Sequence, residues 1–215
     1  PQAADFTGIT RWINSEPLSI AKLQGKVVLV DFWTYTCSNC INTLPYLRYW
    51  NDKYAGRGLT IVGVHSPEFE FEKEESKVRE AIARERITWP VAMDNDFATW
   101  RAYQNRWWQH KFLIDQEGRV RYHHIGEGAY AEAERMIRLL LDEAGYDTSG
   151  TVLGGSVPKQ RGGAAVTREI YAGGGWSSGA YLGNHVSPSL GKPSVYSDAG
   201  RHEDGLLLLE RLRAK

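Results

Sequence analysis

Cys37 and Cys40 are the whole thiol content of this 215-residue chain. They close the stretch Asp31-Phe32-Trp33-Thr34-Tyr35-Thr36-Cys37-Ser38-Asn39-Cys40, which directly follows the apolar run Val27-Val28-Leu29-Val30. A strand that runs into C-x-x-C and then into a helix puts the first sulfur at a helix N-terminus, where unpaired N–H groups favour the thiolate. Cys37 is therefore the expected nucleophile. Cys40, one turn into the helix, can reach back to close an intramolecular disulfide and expel whatever Cys37 has captured. Such chemistry needs no cofactor beyond the redox-active pair itself. A structural zinc centre would need about four Cys or His ligands in short-spaced pairs, and neither a second C-x-x-C nor an H-x-x-x-H accompanies the first. A purely structural bridge between residues three apart closes so small a loop that it removes little unfolded-chain entropy.

Positioning these sulfurs requires a sheet flanked by helices. Residues 27–33 read as a fully buried strand and residues 39–54 as a helix with Ile41, Leu44, Leu47 and Tyr54 on one side, interrupted by Pro45. Residues 59–65 form a second strand. Residues 70–86 form a charged helix that turns Val78, Ala81 and Ile82 inward. Short strands follow at 88–93, 111–115 and 119–125, the last two joined by a turn at Gln116-Glu117-Gly118. A final helix over 130–144 stops at Gly145. The expected class is α/β, with a central mixed sheet flanked by helices over residues 1–149. Residues 150–215 carry 13 of the 22 glycines, so they form a linker or a partial β-rich module, with short strands at 168–171 and 206–209.

Lysine plus arginine equals aspartate plus glutamate at 26 each. No overall field therefore draws the chain to nucleic acid or to an anionic membrane. The longest aliphatic run, 206–209, is far short of the ~20 residues of a membrane-spanning helix. The chain opens on Pro1 rather than Met, which reads as a mature or excised piece whose targeting segment has been removed.

Val30-Asp31-Phe32-Trp33 ahead of the cysteines and Pro45 behind them resemble the thioredoxin superfamily over roughly the first 145 residues. Val62-Gly63-Val64-His65-Ser66-Pro67-Glu68-Phe69 and Phe112-Leu113-Ile114-Asp115 look more narrowly like its TlpA-type branch. The run Phe32 to Tyr46 through the cysteines is similar to the C-terminal extracytoplasmic region of DipZ-type proteins. The resemblance implies a thioredoxin-like fold and exchange with protein thiols and disulfides in the reducing direction. It also implies an extracytoplasmic location and a membrane electron donor of the disulfide-reductase type. Arg168 to Gly173 and Tyr181 to Asn184 look like the start of a carbohydrate-binding-like module.

The resemblance places Asp31 beneath the second cysteine, where a desolvated carboxylate with a raised pKa could accept the Cys40 proton. A strand-end Asp with a local hydrogen bond is the plainer reading. Glu68 is expected close to the C-x-x-C, tuning the thiols or orienting a partner, unless it is simply an exposed loop residue. His65 on the same segment is more simply structural. Trp33, Tyr35 and Trp108 are expected to form an apolar collar for a bound peptide, or else to be core. Gln109 stands where the family places a cis-proline opposite the disulfide. A non-proline cis bond costs about 2.5–4 kcal/mol, so the Trp108-Gln109 peptide should be trans, with weaker pairing to a substrate strand. His110 beside the thiols would still make an incomplete metal site.

Two other functions compete with disulfide exchange. Thr34 and Cys37 match the T-x-x-C of a thiol peroxidase, although Val30 stands where that motif expects proline. A redox-inactive module that binds glycan or protein is the second, and the intact C-x-x-C argues against it. If the first cysteine is the accessible one, limited alkylation of the reduced protein at neutral pH labels Cys37 before Cys40, read by peptide mass; preferential labelling of Cys40 would reverse the roles.

Overall fold

The computed structural model describes residues 1–154 and two short strands beyond them, β7 (Ile170–Tyr171) and β8 (Ser194–Val195), which pair antiparallel. Contacts divide the chain into Pro1–Arg161 and Gly162–Lys215. The strand expected at 206–209 and the segment 181–184 lie outside the described residues, as does most of 168–173.

In the first unit the order is β1 (Arg11–Ile13), β2 (Val27–Trp33), α1 (Ser38–Tyr54), β3 (Leu59–His65), α2 (Glu75–Arg84), β4 (Val91–Met93), α3 (Ala98–Ala102), β5 (His110–Ile114), β6 (Val120–Ile125) and α4 (Tyr130–Glu143). The strands form one six-stranded sheet in the order β1-β4-β3-β2-β5-β6. β2 runs parallel to β3, and β3 to β4; the β1–β4, β2–β5 and β5–β6 pairs are antiparallel. This is the mixed α/β sheet of a thioredoxin-like fold.

Strand geometry decides which β2 residues meet the cysteines, because successive side chains point to opposite faces. Val27, Leu29 and Trp33 pack with Cys37, Cys40, Leu44, Leu47 and Trp50 of α1 and with Ile137, Leu140 and Leu141 of α4. Val28, Val30 and Phe32 pack on the other face with Val62, Val64, Trp100 and Phe112. Covering both faces explains why β2 is one continuous apolar run. Asp31 shares the parity of Leu29 and Trp33, so it faces the layer that holds the cysteines.

The outer elements differ more from expectation. The helix anticipated over 70–86 is two pieces, a 3₁₀ turn at Glu70–Lys73 and α2, separated by Glu74 in an extended conformation with ψ 114°. The break follows from Glu72, which is buried and accepts the backbone N–H groups of Glu68 and Phe69, so this first turn is tied to its own loop. The strand expected from residue 88 begins at Val91, after Pro90. β1 and α3 lacked a sequence signal long enough to read. α3 is nucleated by Asp94, whose carboxylate accepts the N–H groups of Thr99 at 3.1 Å and Trp100 at 2.8 Å. α1 runs through Pro45, which leaves the Ile41 carbonyl without its usual intrahelical donor. α4 ends as expected: Gly145 takes φ +82°, and the Tyr146 N–H bonds back to the Leu141 carbonyl at 2.9 Å.

Contacts of the first unit continue past residue 150. Lys53 and Glu134 form a largely buried ion pair at 2.7 Å. Lys53 also donates to the Val152 carbonyl, and Glu134 accepts the Gly154 N–H at 3.1 Å. A chain ending after residue 154 should keep its thermal midpoint and dithiol exchange, since every candidate redox residue precedes it. Ending after residue 150 should cost about 1–3 kcal/mol, or roughly 3–10 °C by calorimetry; equal midpoints for the two would show that these contacts contribute nothing.

Candidate active site

The redox motif sits where β2 turns into α1. The Cys37 N–H bonds to the Thr34 carbonyl at 3.3 Å, closing the turn, and the Ile41 N–H bonds to the Cys37 carbonyl at 3.0 Å, opening the helix. Cys37 is the N-cap: its Sγ accepts the Cys40 N–H at 3.2 Å. Anionic sulfur at this place would be met by that N–H and by the positive end of the helix. Both thiols are free and mostly covered, Cys37 keeping 9% exposure and Cys40 1%. Cys37 is thus at the rim rather than openly exposed. Burial pushes the Cys40 thiol well above its ordinary range, helped by its contact with Cys37 and by the charge of Asp31. Cys40 needs a base to become a nucleophile.

Asp31 faces the layer that holds Cys40, and its charge reaches that thiol. It is 1% exposed, and burial raises its pKa to about 6 while Lys111 pulls the other way. Lys111 is its cross-strand partner on β5, facing the same layer as Leu113. The ammonium lies 3.9 Å from Asp31 Oδ1, too far for a good hydrogen bond. Neither atom has another partner among the described residues. Burial lowers the Lys111 pKa, and Asp31, Cys40, Glu127 and Cys37 oppose the shift in that order. Two opposite charges short of a direct bond, buried on the sheet face that also packs Cys40, leave the carboxylate easy to protonate.

The loop after β3 braces the other side of the turn. An acidic residue that touches it is Glu72: Thr36, next to Cys37, donates its hydroxyl to Glu72. Glu68 is half-buried and gives its N–H to the same carboxylate. His65 is fully buried, with Nε2 3.3 Å from Thr34 Oγ1, its ring stacked on Tyr35 and its pKa lowered to about 3 by burial. It stays neutral and structural. Thr34 is equally buried and turned to His65, which leaves the T-x-x-C of a peroxidase without an open hydroxyl.

The aromatic collar is only partly realised. Trp33 is 1% exposed and packs edge-on against His65, so it is core and cannot touch a partner. Tyr35 and Trp108 are half-buried. Trp108 donates to the Ser66 carbonyl at 2.6 Å and packs against Trp100.

Gln109 is fully buried, and the described residues contain no cis peptide bond. Its φ is +62°, its N–H bonds to the Phe32 carbonyl at 2.9 Å and its carbonyl accepts from Gly126 at 2.7 Å. The backbone that was expected to meet a substrate strand is used inside the protein. Its side-chain amide donates to Thr43, whose hydroxyl bonds to the Cys40 carbonyl at 2.9 Å. Gln109 thus steadies α1 beneath the cysteines. His110 turns away, its ring bonded to Asn105 at 2.7 Å and His123 at 3.1 Å. Among the described residues no group of three or more His, Cys, Asp or Glu is arranged to hold a metal ion.

Sequence reasoning missed Lys111, Glu72 and Thr43. A lysine inside the apolar strand His110-Lys111-Phe112-Leu113-Ile114 was a visible signal, because burying a charge is costly without a partner. Naming that partner required the β2–β5 register.

A family profile described as Redoxin matches residues 5–137. The chain is 40% identical over 211 residues to Protein DipZ of Mycobacterium tuberculosis (strain CDC 1551 / Oshkosh), covering 94% of this chain and 28% of that protein. It therefore spans little more than a quarter of that relative. It is 28% identical over 139 residues to thiol-disulfide oxidoreductase YkuV of Bacillus subtilis (strain 168), covering 65% of this chain and 93% of that one. The solution structure of a thioredoxin-like protein in the oxidized form superimposes with a TM-score of 0.61 at 29% identity, over 66% of this chain and 95% of the other.

Proline cannot take the Gln109 conformation, since its ring fixes φ near −65° and it has no N–H. Gln109→Pro should therefore cost about 3 kcal/mol or more in urea unfolding beyond what Gln109→Gly costs, since the glycine loses the same side chain but is at ease with positive φ and keeps the N–H. A proline variant as stable as the parent would show that this loop readily adopts another backbone.

Proposed function

The chain belongs to the Redoxin family, and from that premise we propose that it is a thiol-disulfide oxidoreductase in which Cys37 attacks, Cys40 resolves and Asp31 takes the resolving proton. The observation that carries this reading is the buried Asp31–Lys111 pair on the same sheet face as Cys40. A carboxylate with its pKa near 6 is poised to accept a proton near neutral pH.

The steps balance as follows. The Cys37 thiolate attacks one sulfur of a substrate disulfide; the other substrate sulfur leaves as thiolate and is protonated by water. Cys40 passes its proton to Asp31, and the new thiolate attacks Cys37 Sγ, displacing the second substrate sulfur. The substrate gains two electrons and the protein is left with a Cys37–Cys40 disulfide. As the proton moves, negative charge shifts from the Asp31 carboxylate to the Cys40 sulfur, and Lys111 acts electrostatically on both.

The substrates of this reading are protein disulfides, and the direction is reducing. A second dithiol restores the pair, of the kind carried by a membrane disulfide reductase, on the extracytoplasmic side. The similarity to DipZ over nearly the whole of this chain supports that setting. Among the described residues no helix is long and apolar enough to cross a membrane. We also propose residues 1–149 as the redox domain and residues 150–215 as a C-terminal extension whose first residues, Val152 and Gly154, are bonded to Lys53 and Glu134 of that domain.

Asp31→Asn should slow the second half-reaction about 10²-fold or more at pH 7–8 in single-turnover measurements, with capture by Cys37 little changed. Equal slowing of both steps, or of neither, would leave Asp31 structural. Stability gives an independent check. Folded Asp31 keeps its proton up to about pH 6, while the unfolded side chain releases it near 3.8. Between those values the native state binds more protons, so this group makes stability fall as pH rises. From pH 4 to 7 the parent should lose up to about 3 kcal/mol relative to Asp31→Asn; parallel curves would contradict the raised pKa.

A further inference from the structure

Phe69 and Phe71 stand outside the core. They are 36% and 46% exposed, yet ordered against each other, with parallel rings whose centroids are 5.5 Å apart. The loop that carries them is joined to the redox turn at two points. Thr36 donates its hydroxyl to Glu72, and Tyr35 donates its hydroxyl to the Phe71 carbonyl at 3.4 Å. These two residues immediately precede Cys37. Tyr35, Phe69 and Phe71 therefore form an apolar ledge whose place beside the nucleophile is fixed, and an exposed ordered aromatic cluster of this kind marks an interaction surface.

Charge on the ledge has one dominant sign. Residues 68–80 contain six glutamates against Lys73, Lys77 and Arg79. The Glu70 side chain, 86% exposed, pairs with Lys73 at 2.8 Å, that of Glu74, 54% exposed, pairs with Lys77 at 3.1 Å, and Glu75 pairs with Arg79 at 2.7 Å, so the segment keeps an excess of three negative charges. The Tyr35 phenol pKa is raised by burial and then by Glu72, Glu74 and Glu80, with Arg84 opposing. The field at this edge of the site is thus negative. A cation already rests on the ledge: the Lys77 ammonium lies 5.8 Å from the centre of the Phe71 ring.

We propose that this ledge is the docking surface for the polypeptide substrate, and that it selects cysteines flanked by an apolar or aromatic side chain together with lysine or arginine. The apolar neighbour would lie on the exposed rings, and the basic one would meet the glutamates. This deepens the oxidoreductase reading and rests on it. The chemistry is the exchange described above, with the peptide disulfide reduced as Cys37 and Cys40 become oxidised.

The full reduced chain tests it against four disulfides: the symmetrical dimers of Lys-Phe-Cys-Phe-Lys, Glu-Phe-Cys-Phe-Glu and Lys-Ser-Cys-Ser-Lys peptides, and hydroxyethyl disulfide. Each rate is divided by that of dithiothreitol with the same compound, which removes the effect of flanking charge on the leaving thiol. The Lys-Phe peptide should exceed the Glu-Phe peptide about tenfold and the Lys-Ser peptide several-fold, and the charge effect should shrink with added salt. In Phe69→Ser/Phe71→Ser the ratio of the Lys-Phe peptide to hydroxyethyl disulfide should fall about tenfold. Equal normalised rates for the three peptides, or a ratio unmoved by the double substitution, would overturn the docking proposal alone. Failure to exchange with any of the four, hydroxyethyl disulfide included, would overturn the oxidoreductase reading and this proposal with it.

Discussion

An aspartate and a lysine, taken out of water on neighbouring strands, set the terms for the rest of the site. Removing either charge from solvent is costly, and their attraction repays it fully only when they are well bonded. At 3.9 Å the Asp31–Lys111 pair is not. The penalty remains as a carboxylate whose pKa is pushed to about 6. In the proposed exchange that carboxylate is the base for a thiol that burial holds in its neutral form. Sheet order makes the juxtaposition, because β5 lies against β2 with Lys111 opposite Asp31.

Apolar packing then brings the sulfurs over this pair. Leu44, Leu47 and Trp50 hold α1 against the β2 face shared by Leu29 and Trp33. Hydrogen bonds from outside the motif fix what packing leaves loose. Glu72 holds Thr36 on one side of the cysteines, and Gln109 holds Thr43 on the other. A nucleophile at a helix N-cap benefits only if the turn before it does not drift. These ties come from two different loops, each anchored in the sheet.

The central part of this arrangement was legible in the sequence because its signals are local. The β-branched run of β2, the C-x-x-C behind it and the helix after it are each written in consecutive residues, and the structure reproduces β2 and β3 at their expected limits. Asp31 was legible for the same reason, as a charge inside an apolar strand. What depended on pairing between distant segments was not. Lys111 gains its meaning only from the β2–β5 register, and Glu72 gains its own from a loop that folds back so that its carboxylate meets Thr36 and the N–H groups of Glu68 and Phe69. Trp33 was open between collar and core until strand parity placed it in the core. Gln109 was read through the proline the family places there, whereas its amide nitrogen and its backbone N–H and carbonyl are bonded inside the protein. β1 and α3, at three and five residues, are too short for periodicity to show.

The state of the Asp31 carboxyl is the most direct test. Its ¹³C resonance, followed through a pH titration of the reduced protein, should show a midpoint near 6. That midpoint should move higher in Lys111→Met, since the lysine is the group that holds it down. A midpoint near the ordinary aspartate value of about 4, unmoved by loss of Lys111, would contradict the claim that this buried pair prepares the base for Cys40.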